Sequence, residues 1–230
     1  MKIDFRNWRV VVTGGTGALG SAVVKKLLEC GATCHVTWVL EQELTHFPHT
    51  KSVELHRVDC ADERAVSDLY SKLPDLWASL HIVGGFAMAP VEKTSADDMR
   101  KMFDVNALTC FLCCREAVKK IRAAGKGGRV VNVAARPAVQ PAGGMLAYTT
   151  SKAAVASITQ CLAEEVKQEN ILVNAIVPSI MDTPANRKSI PDADFAKWPK
   201  VEQVAETMVF LASSENALTS GALVPVFGRA

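Results

Sequence analysis

The sequence has no apolar run of membrane-spanning length and almost no excess of either charge. Lysine and arginine total 26 against 24 aspartates and glutamates, and the net charge of +2 favours neither nucleic acid nor an anionic membrane as a partner. The first eight residues carry charges where a secretory signal needs an apolar stretch. We therefore expect a small-molecule ligand, and no nucleic acid or membrane partner.

The sequence also lacks the cysteine spacing of a secreted disulfide scaffold. Its seven cysteines are an odd number scattered through apolar stretches, which favours a reducing, cytoplasmic location. The cluster Cys110-x-x-Cys113-Cys114 is followed by no second ligand pair and lies in a stretch that is apolar on all sides. We predict no metal site and expect these thiols to pack in the core or at a subunit interface.

Short apolar runs rich in β-branched residues alternate with longer amphipathic stretches. Strands that are apolar on both faces, alternating with helices, predict a parallel sheet wound by right-handed crossovers. The predicted strands are 9–13, 33–39, 52–58, 80–83, 129–133, 171–177 and 222–227, and the predicted helical stretches are 17–30, 61–72, 95–124, 145–169 and 201–213. The fold class is therefore α/β, a single-domain Rossmann-type doubly wound parallel sheet of about seven strands spanning residues 1–230.

A glycine-rich turn joins the first strand to the first helix. Gly14, Gly17 and Gly20, with Thr16 and Leu19 between them, allow a tight turn, a close approach to a pyrophosphate and close packing of helix on strand. The free N–H groups of the following helix favour an anion. Because the turn lies between a strand and a helix, it predicts a dinucleotide site.

The end of the second strand normally separates NAD from NADP, through an acidic residue or an arginine. Here Trp38 takes that position, Glu41 and Glu43 follow as charges expected to be solvated, and no lysine or arginine occurs before Lys51. A loop from elsewhere could supply a cation, but the local sequence favours NAD over NADP.

Two residues after the third strand are further candidates for the cofactor site. Asp59 and Cys60 are predicted to lie at the adenine. Asp59 could accept a hydrogen bond from the adenine amino group, or it could cap the helix that begins near Ala61.

Tyr148 and Lys152 stand four residues apart in a good helical stretch, which places both on one helix face. A buried ammonium beside a phenol favours the phenolate, so we expect the pKa of Tyr148 to fall from ~10 towards the working pH. The pair is a candidate proton donor and acceptor.

The chain resembles the short-chain dehydrogenases/reductases over essentially its whole length. The resemblance rests on the glycine turn, on Tyr148 with Lys152, on Val105-Asn106, and on Asn174-x-x-x-Pro178. It implies the strand order 3-2-1-4-5-6-7, hydride transfer with NAD or NADP, and a homodimer or homotetramer formed through the fourth and fifth helices. It also implies roles for individual residues: Tyr148 as acid/base, Lys152 as a second contact to the nicotinamide ribose, Asn106 as the holder of a relay water, and Gly84, Gly85, Pro178 and Thr183 as cofactor contacts.

One departure from this family changes the expected substrate. The catalytic serine should lie thirteen residues before the tyrosine, where the sequence has Ala135, preceded by Ala134. Loss of such an oxyanion donor typically costs ~10²–10³ in rate. An ordinary ketone substrate is therefore disfavoured, whereas an electrophile activated within its own conjugated ring could react without the serine.

Within the family, the chain resembles dihydropteridine reductases, which also lack this serine. The resemblance lies in Gly84-Gly85-Phe86 and in the Pro-rich segment 178–200, which we predict to be a substrate lid. It implies a quinonoid dihydropterin substrate between Phe86, Met88, Phe195 and Trp198, beside Ala135 and Arg136. Trp38 in place of an aspartate, and the retained Asn106, depart from that pattern.

Two alternatives remain open from the sequence. The first is a carbonyl reductase in which Arg136, Gln140 or Thr149 replaces the serine as donor. The second is a dinucleotide-binding regulator without turnover, which the intact set of Tyr148, Lys152 and Asn106 argues against.

Overall fold

The computed structural model describes residues 3–230, which form one α/β domain around a seven-stranded sheet. The strand order is β3-β2-β1-β4-β5-β6-β7, and every neighbouring pair is parallel. This order confirms the predicted doubly wound topology. The strands are β1 Arg9–Thr13, β2 Thr33–Trp38, β3 Glu54–Arg57, β4 Ala78–His81, β5 Gly128–Val133, β6 Ile171–Pro178 and β7 Leu223–Val226.

Helices cover both faces of this sheet. They are α1 Ala18–Glu29, α2 Glu41–His46, α3 Glu63–Lys72, α4 Ala96–Met102, α5 Thr109–Ala124, α6 Arg136–Val139, α7 Leu146–Val166, α8 Pro184–Ser189 and α9 Val201–Ala212, with short 3₁₀ turns at Val91–Lys93, Lys167–Glu169 and Phe195–Lys197. One core contains apolar residues of α3, α5 and α7, and the other contains those of α1 and α9. The central strands are buried on both faces, which explains why their sequences are continuously apolar.

Two predicted elements differ from the structure in an informative way. The fourth strand is Ala78–His81 rather than 80–83. The prediction missed its start because Ser79 and His81 are polar, but both are buried and their side chains are hydrogen-bonded to each other at 2.8 Å. The predicted helix 95–124 is interrupted by a π-helical segment at Phe103–Leu108. Such segments are common at functional sites, and this one contains Asn106.

In a parallel sheet all the strands end at the same edge, and here that edge gathers the candidate residues. The glycine turn follows β1, Trp38 ends β2, and Ala135 comes shortly after β5. A ligand site at this edge is the general rule for doubly wound sheets. Within residues 3–230, no helix is both long and apolar enough to cross a membrane.

Candidate active site

The glycine turn leaves the start of α1 open to a ligand. Gly14 has φ +65°, a left-handed conformation that favours glycine, and a Cβ at Gly20 would collide with the Gly14 carbonyl oxygen. Gly17 is the N-cap of α1 and provides no side-chain cap, so the first N–H groups of the helix are available to an anion. These features fit the pyrophosphate of a dinucleotide.

The carboxylate of Glu43 lies beside this turn. Its Oε2 accepts a hydrogen bond from the Thr16 hydroxyl at 2.9 Å and from the Val39 N–H at 3.4 Å. The expectation that Glu43 is a solvated charge was wrong, because α2 folds back and places it between the turn and the end of β2. Glu41, on the same helix, is exposed as expected.

A guanidinium also lies near the end of β2. Trp38 is paired with Arg57 in the β2–β3 register, and the Arg57 guanidinium lies 5.6 Å from the centre of the Trp38 ring. The sequence between Trp38 and Lys51 has no such cation, but the neighbouring strand supplies one.

Asp59 does not cap the next helix. Its carboxylate accepts from the Ala61 N–H at 2.9 Å, whereas Asp62 is the N-cap of α3 and accepts from Arg64 and Ala65. Asp59 is exposed, and Cys60 is buried with its sulfur 3.8 Å from the Thr37 hydroxyl. The adenine contact of Asp59 and Cys60 stays a prediction.

Lys152 is a buried cation at the centre of the candidate site. Its side chain is 5% exposed, and Nζ donates to the Val133 carbonyl at 2.8 Å. Burial lowers the pKa of Lys152 to about 8, with the Cys110 thiol acting in the opposite direction. The ammonium is therefore mostly protonated at pH 7, and two further N–H donors fit the hydroxyls of a ribose.

Tyr148 lies one helical turn before Lys152 and is only half-buried as a whole residue. Its ring meets the Phe86 ring edge to face, with centroids 4.9 Å apart. Burial raises the pKa of Tyr148 to about 12, so the expected downward shift was wrong. The reason is that burial removes water from the phenolate and so disfavours the charged form.

Asn106 fastens the loop after β4 to α7. Its Oδ1 accepts from the Gly85 N–H at 3.0 Å, and its Nδ2 donates to the Gly85 carbonyl and the Ser151 hydroxyl, each at 3.1 Å. A Cβ at Gly84 would come within 2.8 Å of Asn106 Oδ1 and 3.1 Å of Lys152 Nζ. The side-chain amide thus positions this loop, and a relay water at Asn106 stays a prediction.

The position of the missing serine is apolar in the structure as well. Ala134 and Ala135 are buried, and Ala135 precedes α6 in extended conformation. Arg136, a possible substitute donor, is already engaged with Gln140 at 2.9 Å and with the Ala230 carbonyl at 2.6 Å.

Thr149 differs from these two, because its hydroxyl is buried without a hydrogen-bond partner among the described residues. Gln140 is engaged only as an acceptor, through its Oε1. Which of these side chains would replace the serine stays a prediction.

The Pro-rich segment 178–200 is folded against the domain. Pro178 is the last residue of β6, and Thr183 caps α8 by accepting from the Asn186 N–H at 3.2 Å. Phe195 and Trp198 have ring centroids 5.0 Å apart. Trp198 is only 8% exposed, so its ring offers little surface to a ligand.

The opposite wall of the predicted substrate site is open. Phe86 is 62% exposed and Met88 64% exposed, and Ala89 after them forms an isolated bridge with Met145 just before α7. The structure therefore brings Phe86 to Tyr148, whereas Phe195 and Trp198 contact each other.

The clustered cysteines are buried, as predicted. Cys110 and Cys114 have sulfurs 3.9 Å apart, and His81 Nδ1 lies 3.5 Å from Cys114 and 2.8 Å from Asn132 Oδ1. No sequence spacing relates His81 to these cysteines, because His81 lies on β4 and the cysteines lie on α5. Hydrogen bonds already engage its nitrogens on both sides.

Comparison with known proteins identifies the family. The short chain dehydrogenase family matches residues 9–194. This protein is a short-chain dehydrogenase/reductase. It is therefore an NAD(P)-dependent oxidoreductase, and the dinucleotide fits the open α1 terminus and the free donors of Lys152.

Its relatives act on varied substrates. This dehydrogenase is 33% identical to galactitol 2-dehydrogenase of Rhizobium johnstonii, over 95% of its own chain and 93% of that protein. It is 29% identical to a short-chain type dehydrogenase/reductase of Picea abies, over 95% and 90% of the two chains.

Solved structures of low sequence identity share the fold. A short-chain type dehydrogenase/reductase from Mycobacterium ulcerans superposes with a TM-score of 0.91 at 20% identity, covering 99% of this dehydrogenase and 90% of that chain. ElxO with NADP bound gives a TM-score of 0.88 at 22% identity, covering 96% and 97% of the two chains.

The buried ammonium leads to a prediction about stability. Replacing Lys152 by Met should raise the free energy of unfolding at pH 7 by about 1–3 kcal/mol, because each pKa unit corresponds to ~1.4 kcal/mol and the lost bond to Val133 offsets part of the gain. Above pH 8 the folded enzyme releases this proton while the unfolded chain keeps it, up to the ordinary value of 10.5. The free energy of unfolding of the wild type therefore rises with pH between about 8 and 10.5, and the stability difference between the Lys152→Met variant and the wild type narrows.

Urea unfolding at pH 7 and pH 9.5 measures this difference. The matched control is Lys25→Met on the exposed side of α1, which should change stability little at either pH. A Lys152→Met variant that is less stable than wild type at pH 7 would contradict the argument.

Proposed function

We propose that this dehydrogenase reduces a conjugated ring, such as a quinonoid dihydropterin, with Tyr148 as proton donor and Lys152 as the positive charge beside it. The observation that carries the proposal is the buried methyl of Ala135 at the position where the family resemblance implies a serine hydroxyl. Without that oxyanion donor, the acceptor has to be electrophilic by itself.

The protonation states of Tyr148 and Lys152 suit the proton donor that reduction needs. With a pKa of about 12, Tyr148 is a neutral phenol at pH 7 and has a proton to give. Lys152, with a pKa of about 8, keeps its charge at that pH and stabilises the phenolate that proton transfer leaves. A bound reduced nicotinamide would supply the hydride. The acceptor would then gain a hydride from the nicotinamide and a proton from Tyr148.

The aromatic surface supports a flat substrate. Phe86 contacts Tyr148 and is 62% exposed, so one ring can hold a bicyclic substrate by stacking next to the phenol. We propose that the Pro-rich segment 178–200 acts as the lid on the other side, with Phe195 as the lid residue that reaches the substrate.

A carbonyl reductase is the second candidate function. The partnerless hydroxyl of Thr149 favours it, because a buried donor without an acceptor could serve the substrate oxygen. Relatives named for ketone and alcohol substrates, such as galactitol 2-dehydrogenase, also point this way.

We propose NAD(H) as the preferred cofactor. A 2′-phosphate beside the end of β2 would be repelled by the negative charge of the Glu43 carboxylate. This carboxylate already accepts hydrogen bonds from the Thr16 hydroxyl and the Val39 N–H, so these donors are not free for a phosphate. A 2′-hydroxyl, in contrast, could donate to that carboxylate. Arg57 favours the phosphate, but its guanidinium is exposed and stacked on Trp38.

We also propose a cytoplasmic homo-oligomer. Phe103, Leu108 and Phe111 are 38%, 38% and 46% exposed around the start of α5, an apolar surface suited to a second subunit. All seven cysteines are free thiols, as in a reducing compartment.

The substrate proposal is tested by comparing acceptors. Oxidation of NADH should be fast with a quinonoid dihydropterin and slow with a panel of ketones and aldehydes. Ala135→Ser should leave the pterin rate within about threefold and raise ketone reduction, since it restores the missing donor. Activity on ketones alone would refute the pterin proposal and favour a carbonyl reductase that uses the Thr149 hydroxyl. Thr149→Val should then abolish the ketone activity.

The proton-donor role predicts the effect of Tyr148→Phe. Removing the phenol hydroxyl should lower turnover by about 10²–10⁴ while dinucleotide affinity stays unchanged, because the ring packing against Phe86 is retained. Stopped-flow turnover and fluorescence titration with NADH measure the two quantities. Undiminished turnover would contradict the role.

Cofactor preference predicts the effect of Glu43→Gln. The ratio of kcat/KM for NADH to that for NADPH should fall by about tenfold, which corresponds to ~1.4 kcal/mol of removed repulsion. Glu41→Gln is the matched control, since it removes the same charge from an exposed position of the same helix. A wild-type enzyme that prefers NADPH and loses that preference in Arg57→Gln would overturn the assignment.

A further inference from the structure

Three potential metal ligands converge at the outer edge of the sheet, away from the dehydrogenase site. His35 lies on β2, and Glu54 and His56 lie on β3, where Glu54 is the register partner of His35. His35 Nδ1 lies 3.1 Å from His56 Nε2 and 3.4 Å from Glu54 Oε2. We propose that His35, Glu54 and His56 bind a divalent transition-metal ion, with Zn²⁺ as the probe.

The spacing of these atoms matches a metal's coordination shell. Zinc binds imidazole nitrogen and carboxylate oxygen at about 2.0–2.2 Å, so two tetrahedral ligands lie about 3.3 Å apart. The separations of 3.1 Å and 3.4 Å are close to this value, and the three ligand atoms all lie within 4.8 Å of one another.

The donor set suits a divalent transition-metal ion. It combines two imidazoles, each binding as a neutral ring, with one carboxylate. In the hydrogen bond between the two rings one nitrogen carries the proton, and on binding an ion that ring would carry its proton on its other nitrogen, so that both rings stay neutral. The Glu54 carboxylate adds a negative charge. Arg9 acts on His35 but is paired with Asp75 at 2.5 Å, and Lys72 acts on His56.

The site is accessible from solvent. His35 is 2% exposed, and its Nε2 has no hydrogen-bond partner within residues 3–230, so the polar contacts of this ring lie on the side of the proposed site. His56 is partly buried and Glu54 is exposed, which leaves a route from solvent and room for water as fourth ligand.

Binding would connect an edge strand to the sheet. Among the described residues, β3 is an edge strand of the sheet and pairs with β2 alone. An ion held by both strands adds a cross-strand link to that edge, and it would stabilise the folded protein by mass action.

The test is a zinc titration of the full-length, tag-free, metal-free enzyme against a chromophoric chelator. Wild type should bind one equivalent, and His56→Ala and Glu54→Gln should each weaken binding by more than about tenfold. His46→Ala is the matched control, because it removes an exposed histidine at the end of α2 and should leave affinity unchanged. Absence of binding by wild type, or equal affinity in His56→Ala, would overturn the proposal.

A spectroscopic measurement identifies the ligands independently of affinity. Bound Cu²⁺ should show two imidazole nitrogens by pulsed electron paramagnetic resonance in wild type and one in His56→Ala. NADH-dependent turnover of the metal-free His56→Ala variant should equal that of wild type, which shows that the variant is folded. Identical spectra for the two proteins would refute the site.

Discussion

The buried ammonium of Lys152 is the interaction on which the arrangement of the active site depends. It joins the middle of α7 to the end of β5 through the Val133 carbonyl, immediately before the two alanines that replace the usual hydroxyl. Holding a cation in a nearly dry place costs stability, and the lowered pKa records that cost. The domain tolerates it because the sheet around it is buried on both faces and supplies a large apolar core.

Around this cation, the site separates binding from proton transfer. The open terminus of α1 and the spare donors of Lys152 suit a dinucleotide, whereas Tyr148, protonated at neutral pH, suits delivery of a proton. Asn106 holds the Gly85 loop in place between them, which its position in a π-helical segment makes possible. Burial of the phenol therefore keeps the Tyr148 proton in place at neutral pH.

The sheet edge formed by β2 and β3 collects charged and titratable groups with opposing effects. At the carboxyl ends of these strands, Glu43 bonds to the Val39 N–H and Arg57 lies over the Trp38 ring, so opposite charges lie close together. Farther along the same two strands, His35 and His56 come together because parallel strands place alternate residues on one face.

The sequence by itself determined the fold class, the strand order through its family resemblance, and the candidate roles of the glycine turn, Tyr148 and Lys152, since these depend on local periodicity and short spacings. It did not determine the contacts made across strands: the Glu43 carboxylate at Thr16, Arg57 on Trp38, or His81 beside the buried thiols. It also misjudged the pKa of Tyr148. Only the tertiary structure decided these features, because strand register, burial and desolvation bring together residues that no fixed sequence spacing relates.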